Sequence, residues 1–334
     1  MVPSTGGTDD VNETDSDEPL TRSEVADAMA AGGGEFTADV ESALTGRTDL
    51  VAIGVPLSLL PPILSARDRS TGTPWQIAVR SGVIDTLSRA FALGTAVTEA
   101  VATDTIELRV HENGDNEHRP TRTLFASPDR VDAVAGPAGS RTLVTESDTG
   151  SVGDAVETVT NRFDAATPAA VDMPSRGRLL AAARERLDDR FADDVAAVLD
   201  GLEYGEIGRT GVVTDQTLLV ALAARHDHLF YDLRAWVGSE TDSGVGIAPG
   251  QELTADRRAL VNRKLIESIK VPMGAGRPNF RLRAVDDALL RAKPDEVLDV
   301  LRGRFALQVD EDGEIRGTSA RGSRRPVWER KRRR

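Results

Sequence analysis

Gly250–Val285 reads GQELTADRRALVNRKLIESIKVPMGAGRPNFRLRAV, and this stretch decides how the rest of the chain is interpreted. Its first part predicts a helix from Pro249 to Arg263. Proline suits the first helical position, where its missing N–H has no intrahelical partner to lose. Leu253 and Leu260 lie seven residues apart, so this helix has an apolar face that packs against a neighbouring element.

A hairpin is predicted to follow the helix directly, over about Leu265–Val285. An apolar extended run begins it, and residues 272–278 form a turn too rich in glycine and proline for regular structure. Beyond the turn, apolar residues from Phe280 to Ala284 alternate with Arg281 and Arg283, which is typical of a return strand. A helix followed at once by a hairpin is the layout of a recognition helix and its wing.

The charge of this stretch is opposite to that of the whole chain. Between Thr254 and Arg283, eight basic residues stand against Asp256 and Glu267, an excess of six inside a chain of net charge -13. One interpretation is a solvated amphipathic hairpin with no partner. The order of the elements and the local reversal of sign together favour binding to double-stranded DNA.

Composition bounds the class of protein. The 334 residues suffice for two domains with full cores, and the absence of cysteine excludes disulfides and thiolate metal sites. No apolar run approaches the roughly 18 residues of a membrane span, and nothing resembles a signal peptide, so we expect a cytoplasmic protein with no membrane partner.

The acidic balance indicates a halophilic protein. Asp and Glu number 54 against 41 Lys and Arg, only four of the basic residues are lysine, and 4% of residues are aromatic. Such a composition is expected of a very salty cytoplasm, where carboxylates keep the surface hydrated. High salt weakens the counterion release that ordinarily drives DNA affinity, so base contacts and dimer geometry must contribute more.

The chain divides into four predicted segments. Residues 1–20 are an acidic, disordered tail, and residues 308–334 are a disordered basic tail that either touches phosphates or is merely solvated. Residues 21–168 are an α/β regulatory or dimerisation domain, and residues 169–307 are a helical, winged helix-turn-helix DNA-binding domain.

The α/β prediction rests on alternating strands and helices between Leu50 and Asp164. The continuous apolar run Leu50–Val55 is expected of a strand covered on both faces. This alternation predicts a mainly parallel sheet sandwiched by helices, in which the last strands could pair antiparallel. One helix is expected to begin after Ser81 and to carry Phe91. Four further helices are predicted before the opening stretch: 175–187, 191–202, 215–224 and 228–237.

No motif points to catalysis. We find no phosphate-binding P-loop and no nucleophile elbow, and Gly274–Gly276 lies in the hairpin rather than in a dinucleotide-binding turn. His226 and His228 lack a third metal ligand, and no pair of carboxylates is distinguished as acid and base. The sequence therefore predicts a non-enzyme that needs no metal and no cofactor.

At this point the residues resemble a known family. Lys270-Val271-Pro272 and Gly276-Arg277-Pro278, after the helix end at Leu265-Ile266-Glu267, are similar to the C-terminal winged helix of haloarchaeal TbsP-type transcriptional regulators. Ala223–His226 and Leu229–Asp232 resemble the helices that precede the recognition helix in that family. The resemblance implies a sequence-specific regulator, loosely linked in role to the sugar-responsive TrmB regulators and to central carbon metabolism. The chain departs from the family in its N-terminal extension, in the loop His111–Pro120, in the insertion Gly238–Gly246 and in its basic tail.

Candidate DNA contacts follow from the faces of the predicted helix and wing. We expect Gln251, Thr254, Ala255 and Arg258 to face the groove, where Gln and Arg pair with adenine and guanine edges. We expect Arg257 and Arg263 to contact phosphates and Arg277 to enter a narrow minor groove. Arg281, on the wing strand, is expected to contact the DNA backbone. The full set is Gln251, Thr254, Ala255, Arg257, Arg258, Arg263, Arg277, Asn279 and Arg281.

We expect a homodimer, and two alternative functions stay open. In one, the α/β domain senses a small anionic or nucleotide effector through loops near Pro56, Arg80 and Ser127. In the other, the winged helix binds protein rather than DNA.

Overall fold

The computed structural model describes residues 34–88, 90–111, 122–137, 140–201, 213–238, 244–248, 253–272 and 279–305. The predicted tails at 1–20 and 308–334 lie outside these residues. Within these ranges, no helix combines the length and the apolar character that a bilayer-spanning segment requires.

The N-terminal half alternates strands and helices as expected. Its helices are α1 Gly34–Leu44, α2 Leu60–Asp68, α3 Val83–Leu87, α4 Phe91–Ala102 and α5 Thr149–Asp164, with a short 3-10 turn at Leu57–Leu59. Its strands are β1 Val51–Val55, β2 Trp75–Arg80, β3 Ile106–His111, β4 Leu124–Ser127, β5 Arg130–Ala135, β6 Thr142–Glu146 and β7 Thr167–Pro168.

These seven strands form one sheet in the order β6-β5-β4-β1-β2-β3-β7. The α/β class is confirmed, and β1, β2 and β3 pair in parallel at the centre. The remaining four pairings are antiparallel, so the sheet is mixed and its parallel part is narrower than the sequence indicated. The sequence does not predict strand β7, because its two residues lie in a segment rich in Ala and Pro, a composition typical of a connection between domains.

Helices cover both faces of the central strands. Side chains alternate along β1: Ala52, like Leu50 just before the strand, packs with α1, α2 and α4, whereas Val51 and Ile53 pack with α5. Trp75 and Ile77 of β2 extend the first of these cores and are fully buried. Because both faces are apolar, β1 reads as a continuous hydrophobic run rather than an alternating one.

The helix expected across Ser81–Phe91 is two helices instead. Helix α3 begins after Gly82, whose φ of 78° favours glycine, and ends at Leu87. Helix α4 starts at Phe91 and lies so close to α3 that a Cβ on Gly94 would be 2.3 Å from the Leu87 carbonyl oxygen. The close approach of the two helices therefore requires glycine at this position.

The C-terminal half is helical, as predicted. Its helices are α6 Arg176–Arg186, α7 Asp189–Gly201, α8 Asp215–Arg225, α9 Phe230–Val237, α10 Leu253–Asn262, α11 Asp287–Arg291 and α12 Val297–Phe305, with a 3-10 turn at Pro294–Glu296. Strands β8 Ile266–Val271 and β9 Asn279–Ala284 form an antiparallel hairpin. Trp236 of α9 is fully buried, packs edge-on against Phe191 of α7 with ring centroids 5.2 Å apart, and donates to the Leu179 carbonyl of α6.

Helix α4 belongs to the cores of both halves. Phe91 and Ala92 pack with the C-terminal helices, whereas Leu93 and Val97 pack beneath the sheet. At its far end, the Glu99 carboxylate accepts a 2.9 Å hydrogen bond from the Gly177 N–H in the first turn of α6. A carboxylate is favourable there because unpaired N–H groups make a helix N-terminus positive.

A buried ion pair joins strand β5 to the segment between α1 and β1. Asp132 of β5 is fully buried and accepts hydrogen bonds from Arg47, from Arg130 and from the Thr145 hydroxyl of β6. Burial by itself raises the pKa of Asp132, but these hydrogen bonds outweigh it and leave the pKa below the usual value. The folded state therefore favours the carboxylate form.

We predict that Asp132→Asn destabilises the fold by about 3–5 kcal/mol at neutral pH, because it leaves the buried Arg47 cation without its counter-charge. Since the folded-state pKa is lowered, this contribution is complete above the unfolded pKa of about 4 and is lost as pH falls below it. Urea unfolding of both proteins from pH 7 down to pH 3 measures the difference. The matched control is Asp68→Asn at the exposed last residue of α2, expected within about 0.5 kcal/mol. A difference between parent and Asp132→Asn that is small at pH 7, or that grows in acid, contradicts this assignment.

Candidate nucleic-acid interface

Helix α10 is docked through a carboxylate onto the start of α8. The Thr214 hydroxyl caps α8 by accepting from the Thr217 N–H at 3.1 Å. Asp256 of α10 in turn accepts from the hydroxyls of Thr214, at 2.9 Å, and Thr217. This contact sets the position of α10 along α8. It also gives a structural role to Asp256, one of the two acidic residues in the otherwise basic stretch.

The two faces of α10 are distinct. Leu253 and Leu260 are fully buried in the C-terminal core, as the sequence predicted. Ala255, Arg258 and Asn262 are exposed and follow one another three and four positions apart, so they form a single outward stripe. Asn262 was not among the sequence-predicted contacts, although its spacing of four from Arg258 places it on the same stripe. Thr254 is half-buried beside this stripe.

Arg257 is half-buried, and its guanidinium packs against aromatic rings of its own domain. Its guanidinium carbon is 4.9 Å from the Phe230 ring centroid of α9 and 4.4 Å from that of Phe280 in β9. The same guanidinium donates a 2.6 Å hydrogen bond to the Ser268 hydroxyl of β8. Burial lowers the pKa of Arg257, and the neighbouring Arg258 lowers it further. One cation thus joins α9, α10 and both strands of the hairpin.

Arg263 also folds back onto an aromatic ring. Its guanidinium carbon lies 4.1 Å from the Phe305 ring centroid of α12, and it donates to the Ala259 carbonyl. Lys264 follows in the left-handed region with φ of 57°, which ends α10 and turns the chain into β8. The sequence suggested phosphate contacts for Arg257 and Arg263, and the structure shows both in intramolecular contacts.

The hairpin directs one side of β9 outward. Asn279 is half-buried, and Arg281 and Arg283 are exposed. The alternating residues Leu282 and Ala284 are buried. Leu229, just before α9, pairs antiparallel with Arg281, and the Leu282 N–H donates to the His228 carbonyl at 2.9 Å. This isolated bridge and hydrogen bond therefore anchor the two-stranded hairpin to the segment that precedes α9.

Arg283 is held by a carboxylate. Its guanidinium makes two hydrogen bonds, of 2.9 and 3.3 Å, to Asp227 in the turn between α8 and α9. This ion pair raises the pKa of Arg283. Asp227 itself has φ of 58°, so the turn is tight at the residue that meets the hairpin.

The two histidines of that turn are packing residues. His226 Nε2 lies 2.9 Å from the Asp194 carboxylate, and both imidazoles pack edge-on against Phe191. Burial lowers the pKa of His228, which favours its neutral form. Across the described ranges, no three His, Asp or Glu side chains are grouped so as to hold a metal ion.

The described part of the chain places the predicted contact residues on two elements. Thr254, Ala255 and Arg258 lie on α10, and Asn279 and Arg281 lie on β9, while Gln251 and Arg277 fall outside the described residues. Three helices, α8 to α10, followed by a hairpin that pairs back to the α8–α9 turn, define this half as a winged helix-turn-helix.

The comparisons with known proteins agree with this class. A family model described as the C-terminal HTH domain of TbsP-like transcriptional regulators matches residues 175–302, and the N-terminal model of the same family matches residues 33–174. The chain belongs to the TbsP-like transcriptional regulators, and this membership supports a DNA-binding regulator.

Other comparisons add little. No curated protein matches the chain. Among solved structures, TrmBL2, an archaeal chromatin protein whose structure shows a novel mode of DNA binding, matches with 14% identity and a TM-score of 0.31. That match covers 40% of this chain and 50% of TrmBL2, and a likeness this weak carries no conclusion here.

We predict that Arg257→Ala lowers the stability of the winged helix by about 2–4 kcal/mol, since it removes two cation–π contacts and a hydrogen bond from a packed site. The adjacent Arg258→Ala is the matched control, and we expect it to change stability by less than about 0.5 kcal/mol. Denaturant unfolding of both variants measures the difference. Equal stability of the two variants would show that the aromatic contacts of Arg257 do not hold the domain together.

Proposed function

We propose that the protein is a sequence-specific transcriptional regulator that reads double-stranded DNA with α10 in the major groove and with the hairpin as a basic wing. Two observations support this proposal: the outward stripe of Ala255, Arg258 and Asn262 on α10, and the exposed Arg281 on β9, a strand whose Phe280 contacts Arg257 of the same helix. A helix of this kind fits the major groove, and its exposed side chains then meet base edges.

Each residue of the stripe has a role that its chemistry suits. Arg258 can pair bidentately with a guanine, and Asn262 can pair with an adenine. Ala255 and the methyl group of Thr254 suit contact with a thymine methyl. Gln251 lies four positions before Ala255 in the sequence, and we propose that it extends the readout at the start of the helix.

The wing contributes affinity more than base discrimination. Arg281 is exposed and suits a phosphate, and Asn279 lies two residues before it on the same strand. We propose Arg277 as the residue that enters a narrow minor groove, where the negative potential is concentrated. Arg257 and Arg263 then act by positioning the helix and wing through their aromatic contacts, rather than by touching phosphates.

The acid-rich composition supports a cytoplasm of high salt as the setting, and we infer a halophilic archaeal source. Counterion release contributes little affinity in molar salt, so a binder there relies on base contacts and on paired half-sites. We therefore propose a homodimer, assembled through the α/β domain or α6. Genes of central carbon metabolism are proposed as targets on the family resemblance alone.

We predict different effects for arginines on the helix and on the wing. Arg258→Ala should cost about 1–3 kcal/mol and relax the preference at one position of the site. Arg281→Ala should weaken binding to all sequences alike and reduce the salt slope by about one, because it removes one phosphate contact. Binding across a randomised site library at several salt concentrations separates the two.

Two further variants complete this experiment. Arg277→Ala is expected to weaken binding most at sites with A·T-rich flanks. Arg162→Ala, an exposed arginine on α5 of the other domain, is the charge-matched control and should leave binding unchanged. The proposal fails if the Arg258 and Arg281 variants bind every sequence as the parent does while their melting curves are normal.

We predict a dimer in sedimentation equilibrium in molar salt, and two half-sites spaced by about one turn of DNA, or a multiple of it, in footprints of bound genomic fragments. A protein that sediments as a monomer both alone and on DNA contradicts the assembly without contradicting DNA binding. Footprints that cover one undivided half-site would do the same.

A further inference from the structure

A basic cavity opens at the carboxyl ends of β1 and β2 in the N-terminal domain. It has a volume of about 490 Å³ and includes Pro56 after β1, Arg80 at the end of β2 and Thr123 before β4. After β3 the chain returns to the opposite side of β1 to form β4. Ligands of α/β proteins bind at such a point, where the strand order reverses and the loops diverge.

The cavity walls combine cations with an apolar floor. Arg80, Arg122 and Arg141 line it together with Pro56, Leu59 and Val144. No carboxylate is among the described residues that line it.

The fold holds Arg80 in place through an irregularity of β1. The pairing register of β1 shifts between Ile53 and Val55, and Gly54 has φ of 63°. Its carbonyl accepts from the Arg80 Nε at 2.9 Å and from the Thr123 hydroxyl at 2.8 Å. This backbone conformation favours glycine, so the bulge is a built feature that directs polar groups to one end of the sheet.

The arginines are close enough to repel one another. Burial lowers the pKa of Arg80, and the charge of Arg141 lowers it further. An anion between the two guanidinium groups would relieve this repulsion, and guanidinium pairs bidentately with phosphate and carboxylate oxygens.

We propose that this cavity is a binding site for a small organic anion, with a phosphate group held by Arg80, Arg122 and Arg141 and the organic part over Pro56 and Leu59. Phosphate suits three guanidinium groups better than a single carboxylate does, because it carries more charge and more acceptor oxygens. The volume lies within the range of small-molecule sites.

The sequence had suggested a site near Pro56, Arg80 and Ser127, and only the first two line this cavity. Ser127 ends β4, and β4 runs antiparallel to β1, so Ser127 lies near the start of β1 instead. Its hydroxyl donates to Asp129.

The position of the cavity provides a route to the DNA-binding half. The chain leaves β2 at Arg80, passes through α3 and enters α4, whose Phe91 and Ala92 pack in the C-terminal core. A ligand that shifts the end of β2 would therefore act on a helix shared by both domains. This regulatory part rests on the proposed function, whereas binding of the anion does not.

Calorimetry on the full chain without DNA tests the site, with inorganic pyrophosphate, AMP and citrate as probes in a chloride buffer. We expect saturable binding of at least one phosphate probe at one site per chain. Arg141→Ala and Arg122→Ala should each weaken it at least tenfold, and Arg141→Lys should weaken it less than Arg141→Ala. Arg162→Ala, with the same loss of charge outside the cavity, should bind as the parent does.

The outcomes separate the site from a general effect of charge. Absence of saturable binding by every probe, or equal weakening by Arg162→Ala, overturns the proposal. Binding of citrate alone, lost in the Arg141 and Arg122 variants, overturns the phosphate assignment. Melting curves of the variants identify any that fail to fold, and for those Arg141→Lys supplies the comparison.

A second measurement tests the regulatory part. We expect the bound probe to change the affinity for a footprinted genomic fragment in the parent and in Arg162→Ala, but not in Arg141→Ala. An unchanged DNA affinity with an intact calorimetric signal rejects the regulatory link and keeps the site. Failure of DNA binding in every sample, with the calorimetric signal present, counts against the proposed function and not against the anion site.

Discussion

The winged helix depends on one cation that points inward. Arg257 belongs to helix α10, yet its guanidinium lies against Phe230 and Phe280 and donates to Ser268. Helix α9, helix α10 and both strands of the wing therefore meet at a single planar group. Its neighbour Asp256 ties the same turn of α10 to the capping threonines of α8. With these adjacent charges used internally, the exposed stripe of α10 has a defined orientation relative to the wing.

Helix α4 packs in the cores of both domains. Helix α4 contributes to the core beneath the sheet and to the core of the C-terminal half, and Glu99 accepts from the first turn of α6. Packed cores are bistable rather than continuously deformable, so a shared helix can pass a local shift from one domain to the other. The basic cavity lies one short helix upstream of α4, at the end of β2. The end of β2 is therefore connected to both cores through α3 and α4.

Much of the candidate site could be predicted from the sequence, and the errors share a cause. The order of helix and hairpin, the buried faces of Leu253 and Leu260, and the outward position of Arg258 and Arg281 follow from local periodicity, which the chain carries within a few residues. The sequence showed how many basic residues the helix and hairpin carry, but not which of them have partners inside the protein. Arg257 and Arg263 stack on aromatic rings, and Arg283 pairs with Asp227. Those partners come from other elements, and no spacing rule relates them to the arginines.

The sequence by itself determined the α/β and helical halves, the absence of cysteine chemistry, the acidic background and the position of helix α10 and of the hairpin that follows it. Each of these depends on composition or on a period of two or 3.6 residues. Tertiary structure alone decided which strands pair antiparallel, that α4 serves two cores, and that Arg80, Arg122 and Arg141 meet at one cavity. These properties join residues tens of positions apart. They are set by the packing of whole elements, in which burial and charge compensation are satisfied only when the fold is complete.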